Sequence, residues 1–291
     1  MTIIVADEVR GAQAVVALET TLVAHGFPAG QGLEVGLEAE RAVRETGAVP
    51  ATIGVLDGEV RVGLEAAELR RFDADARKVG PRDLAAAVVQ RVVAATTVGG
   101  TLTVCRAAGI RVVATGGLGG VHRGWSEQLD VSADLAELAR TQALVVAAGI
   151  KSLLDVPATM EALETLGVPV LGFRTETLPL FYTAHGGPPV PARVETVERA
   201  VETARAHWEL GGGGLLLARP PDESLEDVEP LIEEALREAR ERGVGGQAVT
   251  PFVLSFLHER SGGRTLAANR ALVVSNARLA GEAALALRDR A

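Results

Sequence analysis

The chain has 291 residues, 47% of them hydrophobic and 23% charged, a balance that supports a substantial buried core and excludes intrinsic disorder. Against 29 basic side chains stand 38 acidic ones, a net charge of −9, so no overall field favours nucleic acid or an anionic membrane, and an anionic substrate would need a local cationic pocket. The single Cys105 excludes an internal disulfide or a multi-cysteine metal site and fits a reducing, cytoplasmic compartment. No apolar run reaches the roughly 18 residues of a spanning helix, and the start MTIIVADEVR lacks the basic-then-apolar order of a secretory signal.

Apolar runs alternate with amphipathic patterns from end to end. That alternation predicts an α/β fold, three-layer α/β/α with a central mixed sheet, in a single catalytic domain over residues 1–291. AVVALET (14–20) reads as a strand, and a helical pattern follows over Gln31 to Thr46. ATIGVL-DG-EVRVGL (51–64) places Asp57 and Gly58 between two strand-like runs; this is the strongest hairpin signal in the chain and the reason to expect a mixed sheet. A weaker helix is predicted over Asp83 to Val93. RVVATGG (111–117) and ALVVAAG (143–149) are nearly continuous apolar runs, as in strands covered on both faces. A helix over Asp155 to Leu166 and the strand VPVLGF (168–173) come next. TAHGGPPVPA (183–192) reads as a loop rather than a domain boundary. A helix over Arg193 to Glu209 then leads to the strand GLLLAR (214–219). From Ser224 to Arg242, Leu225, Val228, Ile232, Leu236 and Ala239 repeat at steps of three and four, the pattern of a packed surface helix. A last helical pattern covers Thr265 to Leu287.

All of the 29 basic residues except Lys78 and Lys151 are arginines. Arginine stays protonated, whereas lysine can lose its proton and attack a carbonyl, or offer a compact charge to phosphate. The two lysines are therefore candidates for amine chemistry, with chance survival on a solvated surface as the competing reading. Lys151 follows directly on ALVVAAGI, at the end of a buried strand where open α/β sheets place their ligand crevices. Apolar surroundings there would favour the neutral amine and a Schiff base with a sugar carbonyl.

Other polar groups interrupt apolar stretches at strand ends. Glu19 closes AVVAL and could exchange protons with a substrate, or merely cap or pair. TTVGGT (96–101) precedes a helix whose first amides, including that of Val98, could receive a phosphate with Lys78 as charge partner. TGGLGGVHRG (115–124) fails the dinucleotide fingerprint because His122 stands at the third glycine position; His122 itself could orient a base or a sugar hydroxyl. In QLDVSADLAEL (128–138), Ser132 suits a helix N-cap. Asp130 is a candidate ligand for Mg²⁺ or Mn²⁺, and Asp134 an acceptor for sugar or water. Asn269 and Asn276, the two asparagines, lie seven apart on one helical face and could reach a site or make a buried helix contact.

Taken in order, ALETTLVAHGFP, GAVPATIGVLDGEVRVGL, ATTVGGT, ATGGLGGVHRG, LDVSADLAEL, AAGIKSLLDVPATMEALETLGVPVLGF, LPLFYTAHGG, TPFVL and AANRAL resemble the pseudouridine-5′-phosphate glycosidase, or indigoidine synthase A-like, family over nearly the whole chain. The resemblance implies reversible cleavage of the carbon-carbon glycosidic bond of pseudouridine 5′-phosphate to uracil and ribose 5-phosphate, by a homotrimeric enzyme using Mn²⁺. It makes Lys151 the nucleophile, Glu19 the proton donor and Asp130 the metal ligand. Lys78, Val98, Ser132, Ala133 and Asp134 fall where the family contacts substrate, and His122 and Asn269 match further active-site positions. Two departures stand out: Thr20 where the family's first motif carries serine, and a shortened stretch between Gly63 and Lys78, which bears on the alignment of Lys78.

The implied chemistry agrees with the lysine argument. Ordinary glycosidases protonate a leaving oxygen; a carbon-linked base offers none, so another electron sink is needed, and an iminium between Lys151 and ring-opened ribose provides one. Two other readings remain open on the residues alone: a Schiff-base phosphosugar lyase or aldolase, and a non-catalytic phosphosugar-binding protein. All three take a small-molecule ligand and neither nucleic acid nor membrane.

Overall fold

A computed structural model describes residues 2–289. Its strands are β1 (Ile3–Val5), β2 (Val15–Glu19), β3 (Val49–Leu56), β4 (Glu59–Val62), β5 (Arg77–Val79), β6 (Ala94–Thr96), β7 (Val112–Ala114), β8 (Leu144–Ala147), β9 (Val170–Phe173), β10 (Ala192–Val194) and β11 (Leu215–Ala218). They join one sheet in the order β1-β4-β3-β2-β7-β8-β11-β9-β10, with β6 paired to β3 and β5 to β6. Every residue of β8, β9 and β11 is buried, so these strands are covered on both faces, as their unbroken apolar sequences require.

Most neighbours are parallel, but β4 and β6 both run antiparallel to β3. The sheet is therefore mixed, and the hairpin at Asp57-Gly58 is one cause. Both residues have positive φ, 54° and 87°, the geometry of the mirror-image two-residue turn that matches strand twist.

The second cause shapes the site. β3 has eight residues and β2 has five; β2 pairs with Val49 to Ile53, and β6 takes Gly54 and Val55 beyond it. Because β6 is antiparallel to β3, its C-terminal end meets the C-terminal end of β2. The Thr96 amide donates to Thr20 Oγ1 at 2.9 Å, and the hydroxyls of Thr20 and Thr96 each donate to the Ile53 carbonyl at 2.8 Å. Thr20 is thus part of a buried junction between strands. A serine, expected here from the family resemblance, would offer the same hydroxyl.

Helices flank the sheet in two groups. Gln31–Thr46, Val197–Glu209 and Arg264–Arg288 pack together, the last also lying on β2, β7 and β8. Val98–Ala108 and Ala133–Arg140 form a second group, with Val98–Ala108 against β2, β3 and β6. Helix Gln31–Thr46 coincides with its sequence pattern. The helix expected from Ser224 begins only at Glu229, with Pro230 in its first turn; proline suits that position and cannot donate from within a longer helix. Leu225 is instead buried in the preceding loop, where its amide donates to the Tyr182 carbonyl at 2.8 Å. The helix expected from Arg193 starts at Val197, capped by Thr196, because Arg193 belongs to β10. Helix Val249–Arg260 was not expected from the sequence. Among the described residues no helix is long and apolar enough to cross a membrane.

Candidate active site

A cleft of about 470 Å³ opens where the loops after β2, β5, β6, β7 and β8 converge, the crevice position of open α/β sheets. Its size suits a small ligand such as a nucleotide.

Glu19 ends β2 and is only 6% exposed. One carboxylate oxygen accepts from the hydroxyl of Thr21 and the other from the hydroxyl of Thr115, so loops after two different strands fix its plane. The terminal helix supports that arrangement: the side-chain amide of Asn276 donates to the carbonyls of Thr115 at 2.8 Å and Gly116 at 3.3 Å.

Lys78 lies in β5, in register with Ala95 of β6, and is thereby carried to the same strand junction. Burial lowers its pKa to about 8, and the charge of Lys151 adds to the effect, while Asp134, Glu19 and Asp130 oppose it. The approach to β5 is fixed by His25, whose Nε2 lies 2.9 Å from the Ala76 carbonyl. Burial holds the His25 pKa below the usual imidazole range, so a neutral ring donates this bond. The lining places Lys78 in the cleft despite the shortened segment before it.

Lys151 comes four residues after the end of β8, and its amide donates to the Leu118 carbonyl at 3.2 Å. Arg123 clamps the loop that follows, donating to the carbonyls of Ser152 at 2.8 Å and Leu154 at 3.3 Å. The guanidinium is itself held by Glu229 at 2.7 Å. Close packing at Lys151 depends on Gly117: a Cβ there would stand 2.6 Å from the Phe181 ring and 3.3 Å from Cγ of Lys151. Phe181 has a φ of 63°, a strained region for a bulky residue and one that recurs at functional sites. Its amide is tied to the Ala148 carbonyl at 3.0 Å.

The loops after β6 and β7 are joined by Asp134. One of its oxygens accepts from the Gly99 amide at 2.7 Å and the other from the Gly119 amide at 3.1 Å. The carboxylate borders the cleft, but its main contacts are backbone amides rather than a free face for sugar or water. Ser132 caps helix Ala133–Arg140 through the Asp134 amide at 3.2 Å, as its sequence suggested. Ser132 and Ala133 line the cleft, whereas the Val98 side chain is buried outside it and Thr97 lines it instead. Of the first helical amides, Gly99 serves Asp134 and Gly100 donates to Thr97 Oγ1 at 3.2 Å.

Asp130 and His122 face each other on one wall, His122 Nδ1 lying 3.9 Å from Asp130 Oδ2. Burial holds the His122 pKa below its usual value, with Asp130 opposing and Lys151 and Lys78 reinforcing. Among the described residues no three His, Cys, Asp or Glu side chains gather as a metal cage. A lone carboxylate such as Asp130 is the kind of donor that suits a hard divalent ion keeping most of its own water, whereas a closed zinc site needs three or four side-chain ligands.

The two asparagines separate. Asn269 lines the cleft and donates to the Gly26 carbonyl at 3.3 Å; Asn276 is wholly buried behind it. Sequence reasoning did not single out Thr21, Thr115, His25, Arg82 or Phe181, nor the stretch from Gly246 to Leu254 that closes one side of the cleft. Thr21 and His25 sit inside ALETTLVAHGFP, Thr115 inside ATGGLGGVHRG and Phe181 inside LPLFYTAHGG. Within 246–254 the TPFVL motif covers Thr250 to Leu254, while the residues before it carry no local signal and reach the cleft through tertiary packing.

Strand-end loops thus gather the buried carboxyl groups of Glu19 and Asp134 and both of the chain's lysines around one cleft of an α/β enzyme. The chain belongs to the indigoidine synthase A-like protein family, whose sequence profile it matches over residues 4–286. It is 46% identical to the pseudouridine-5′-phosphate glycosidase of Sorangium cellulosum over 98% of this chain and 93% of the other. It is 49% identical to the enzyme of the same name from Streptomyces griseus over 94% of this chain and 88% of that one. A crystal structure of an indigoidine synthase A-like protein from Thermotoga maritima superposes with a TM-score of 0.91 at 40% identity, covering 99% of this chain and 97% of the other. The prealnumycin C-glycosynthase AlnA, in complex with ribulose 5-phosphate, superposes with a TM-score of 0.90 at 40% identity, covering 100% and 98%.

Proposed function

We propose that this chain is a pseudouridine-5′-phosphate glycosidase that cleaves and re-forms the bond between C1′ of ribose 5-phosphate and C5 of uracil. The observation that carries this reading is the shared cleft of Lys151 and Glu19, the latter held by Thr21 and Thr115, in a chain 42–49% identical to enzymes of that name.

In the cleavage direction the C1′–O4′ bond breaks and O4′ takes a proton. Nζ of Lys151 then adds to C1′ and gives up a proton, which restores its lone pair. Glu19 delivers its proton to C5 of the base, the nitrogen lone pair forms the C1′=N bond, and the C1′–C5 electron pair returns to the pyrimidine. Water adds to the iminium carbon and the lysine leaves, giving the sugar aldehyde. The Lys78 ammonium supplies charge for the phosphate. Asp134 and Ser132 keep the loops around the sugar in register, and Asn269 and His122 stand where they can orient the base or sugar hydroxyls. Phe181 and Leu154 exclude water beside Lys151. Asp130 would hold Mn²⁺, which when bound supplies positive charge and ordered water beside the substrate. The family resemblance further supports a homotrimer acting in the cytoplasm.

The direct test mixes pseudouridine 5′-phosphate with the protein and Mn²⁺ and follows uracil and ribose 5-phosphate. Release of both supports the assignment; turnover of other phosphosugars without uracil would favour a lyase, and affinity without turnover a binding protein. A metal-free control, repeated with Asp130→Ala, tests the metal ligand.

A further inference from the structure

Beneath Glu19, between the sheet and helix Gln31–Thr46, lies a second cavity of about 20 Å³. It is bounded by Glu19, Thr52 and Thr115 among apolar side chains. A space of roughly 10–15 Å³ or more with several polar partners is enough for one ordered water. On its far side the Thr52 hydroxyl donates to Oε1 of Glu40 at 2.5 Å. Glu40 projects from helix Gln31–Thr46, is only 9% exposed, and has no part in the chemistry described above. A carboxyl group buried among apolar side chains is costly unless it serves a purpose or stays neutral. Glu19, for its part, is covered by two hydroxyls, and in the glycosidase reading a bound base would occupy the cleft above it.

We propose that Glu40, Thr52 and one water in this cavity form a proton path that recharges Glu19 from beneath while substrate occupies the cleft; the inference rests on the glycosidase reading. After Glu19 gives its proton to C5, the water protonates the Glu19 carboxylate, the Thr52 hydroxyl protonates the water, and the Glu40 carboxyl group protonates Thr52. Glu40 then regains a proton from solvent at the end of the helix occupied by the Arg44–Glu8 pair. In synthesis the same protons move in reverse. The electrostatics support a proton resident on Glu40: burial raises its pKa, Glu8 adds to this, and the Thr52 contact and Arg44 oppose it. Arg270 and Arg278 of the terminal helix also face helix Gln31–Thr46, but they are engaged by Glu38 and Glu45. The hydrogen bond runs from Thr52 to Glu40 in this structure; transfer requires it to reverse, the Glu40 O–H donating to Thr52 while the threonine hydrogen turns to the cavity.

Glu40→Gln and the near-isosteric Thr52→Val should each lower kcat for uracil release about 10- to 100-fold with KM unchanged and an altered pH profile and solvent isotope effect. Thr52→Ser should restore turnover, and borohydride trapping of ribose 5-phosphate on Lys151 should be unaffected by any of the three. Wild-type kcat and pH profile in both Glu40→Gln and Thr52→Val, or a Thr52→Ser variant as impaired as Thr52→Val, would overturn the path. An infrared arm does not depend on turnover. A protonated-carboxyl band at neutral pH should vanish in Glu40→Gln and shift in Glu19→Gln; its absence from the wild type, or indifference to Glu19→Gln, also overturns the proposal. A wild-type protein that releases no uracil would instead refute the glycosidase reading and leave the decision on the path to the infrared result.

Discussion

Asn276 holds the Thr115 carbonyl at 2.8 Å while the Thr115 hydroxyl donates to Glu19; a wholly buried amide of the terminal helix thus sets the orientation of the Glu19 carboxyl group. Leaving a buried polar atom without its hydrogen-bond partner costs about 1–3 kcal/mol. Thr115→Val should therefore lower kcat about 10- to 100-fold with little change in KM, measured by steady-state uracil release. Asn276→Ala should act in the same direction and also destabilise the fold by about 1–3 kcal/mol, read from urea unfolding. A Thr115→Val enzyme with wild-type kcat would show that Glu19 needs no such support.

Lys78 gives the enzyme an alkaline limit. Burial and the neighbouring Lys151 bring its pKa down to about 8, so the ammonium proposed to meet the phosphate is lost as pH rises through that value. Since kcat/KM reports free-enzyme ionisations, it should fall above about pH 8. Lys78→Arg retains the charge at all relevant pH values and should move this limb upward, even if the larger side chain lowers the plateau. A limb unchanged in Lys78→Arg would assign it to another group.

Arg123 acts on Lys151 from outside the cleft by gripping the carbonyls of Ser152 and Leu154. Displacing a reacting group by about an ångström can cost on the order of 100-fold. Arg123→Ala should lower kcat about 10- to 100-fold while KM changes little. Arg123→Lys should recover only part of the loss, because a single ammonium cannot copy the two-pronged contact. Equal kcat in both variants and the wild type would remove the clamp from the account.

His258 should make the protein acid-sensitive. It is 6% exposed, stacked on Phe27, and neither ring nitrogen has a hydrogen-bond partner among the described residues; burial lowers its pKa from 6.5 to about 4. The unfolded chain binds the proton first, so the contribution is complete above about pH 6.5 and is lost as pH falls towards 4. The loss is at most about 3 kcal/mol. Urea unfolding across this window should show a slope that His258→Leu flattens; an unchanged slope would place the acid sensitivity elsewhere.

Much of this architecture is written locally. The Asp57-Gly58 turn announces its hairpin because few residues accept positive φ twice in succession, and helix Gln31–Thr46 is bracketed by Gly30 and Gly47, both left-handed. The two lysines and Glu19 are legible as departures from their surroundings, a rare residue type and a charge closing an apolar run. Long-range effects are not. Strands β5, β6 and β10 have three residues each, too few to show a period, yet β6 brings Thr97 to the site. No spacing rule reveals that Asp134 faces the amides of Gly99 and Gly119, or that Asn276 turns inward while Asn269, seven residues earlier, borders the cleft. The helix expected from Ser224 misleads because apolar spacing continues into a loop that Pro230 separates from the helix proper.

The central claim is that Lys151 bonds covalently to the sugar. Ribose 5-phosphate incubated with the protein and reduced with borohydride should leave a stable adduct that peptide mass spectrometry locates on Lys151, and Lys151→Arg should abolish both adduct and uracil release. An adduct on Lys78, or undiminished turnover in Lys151→Arg, would contradict it.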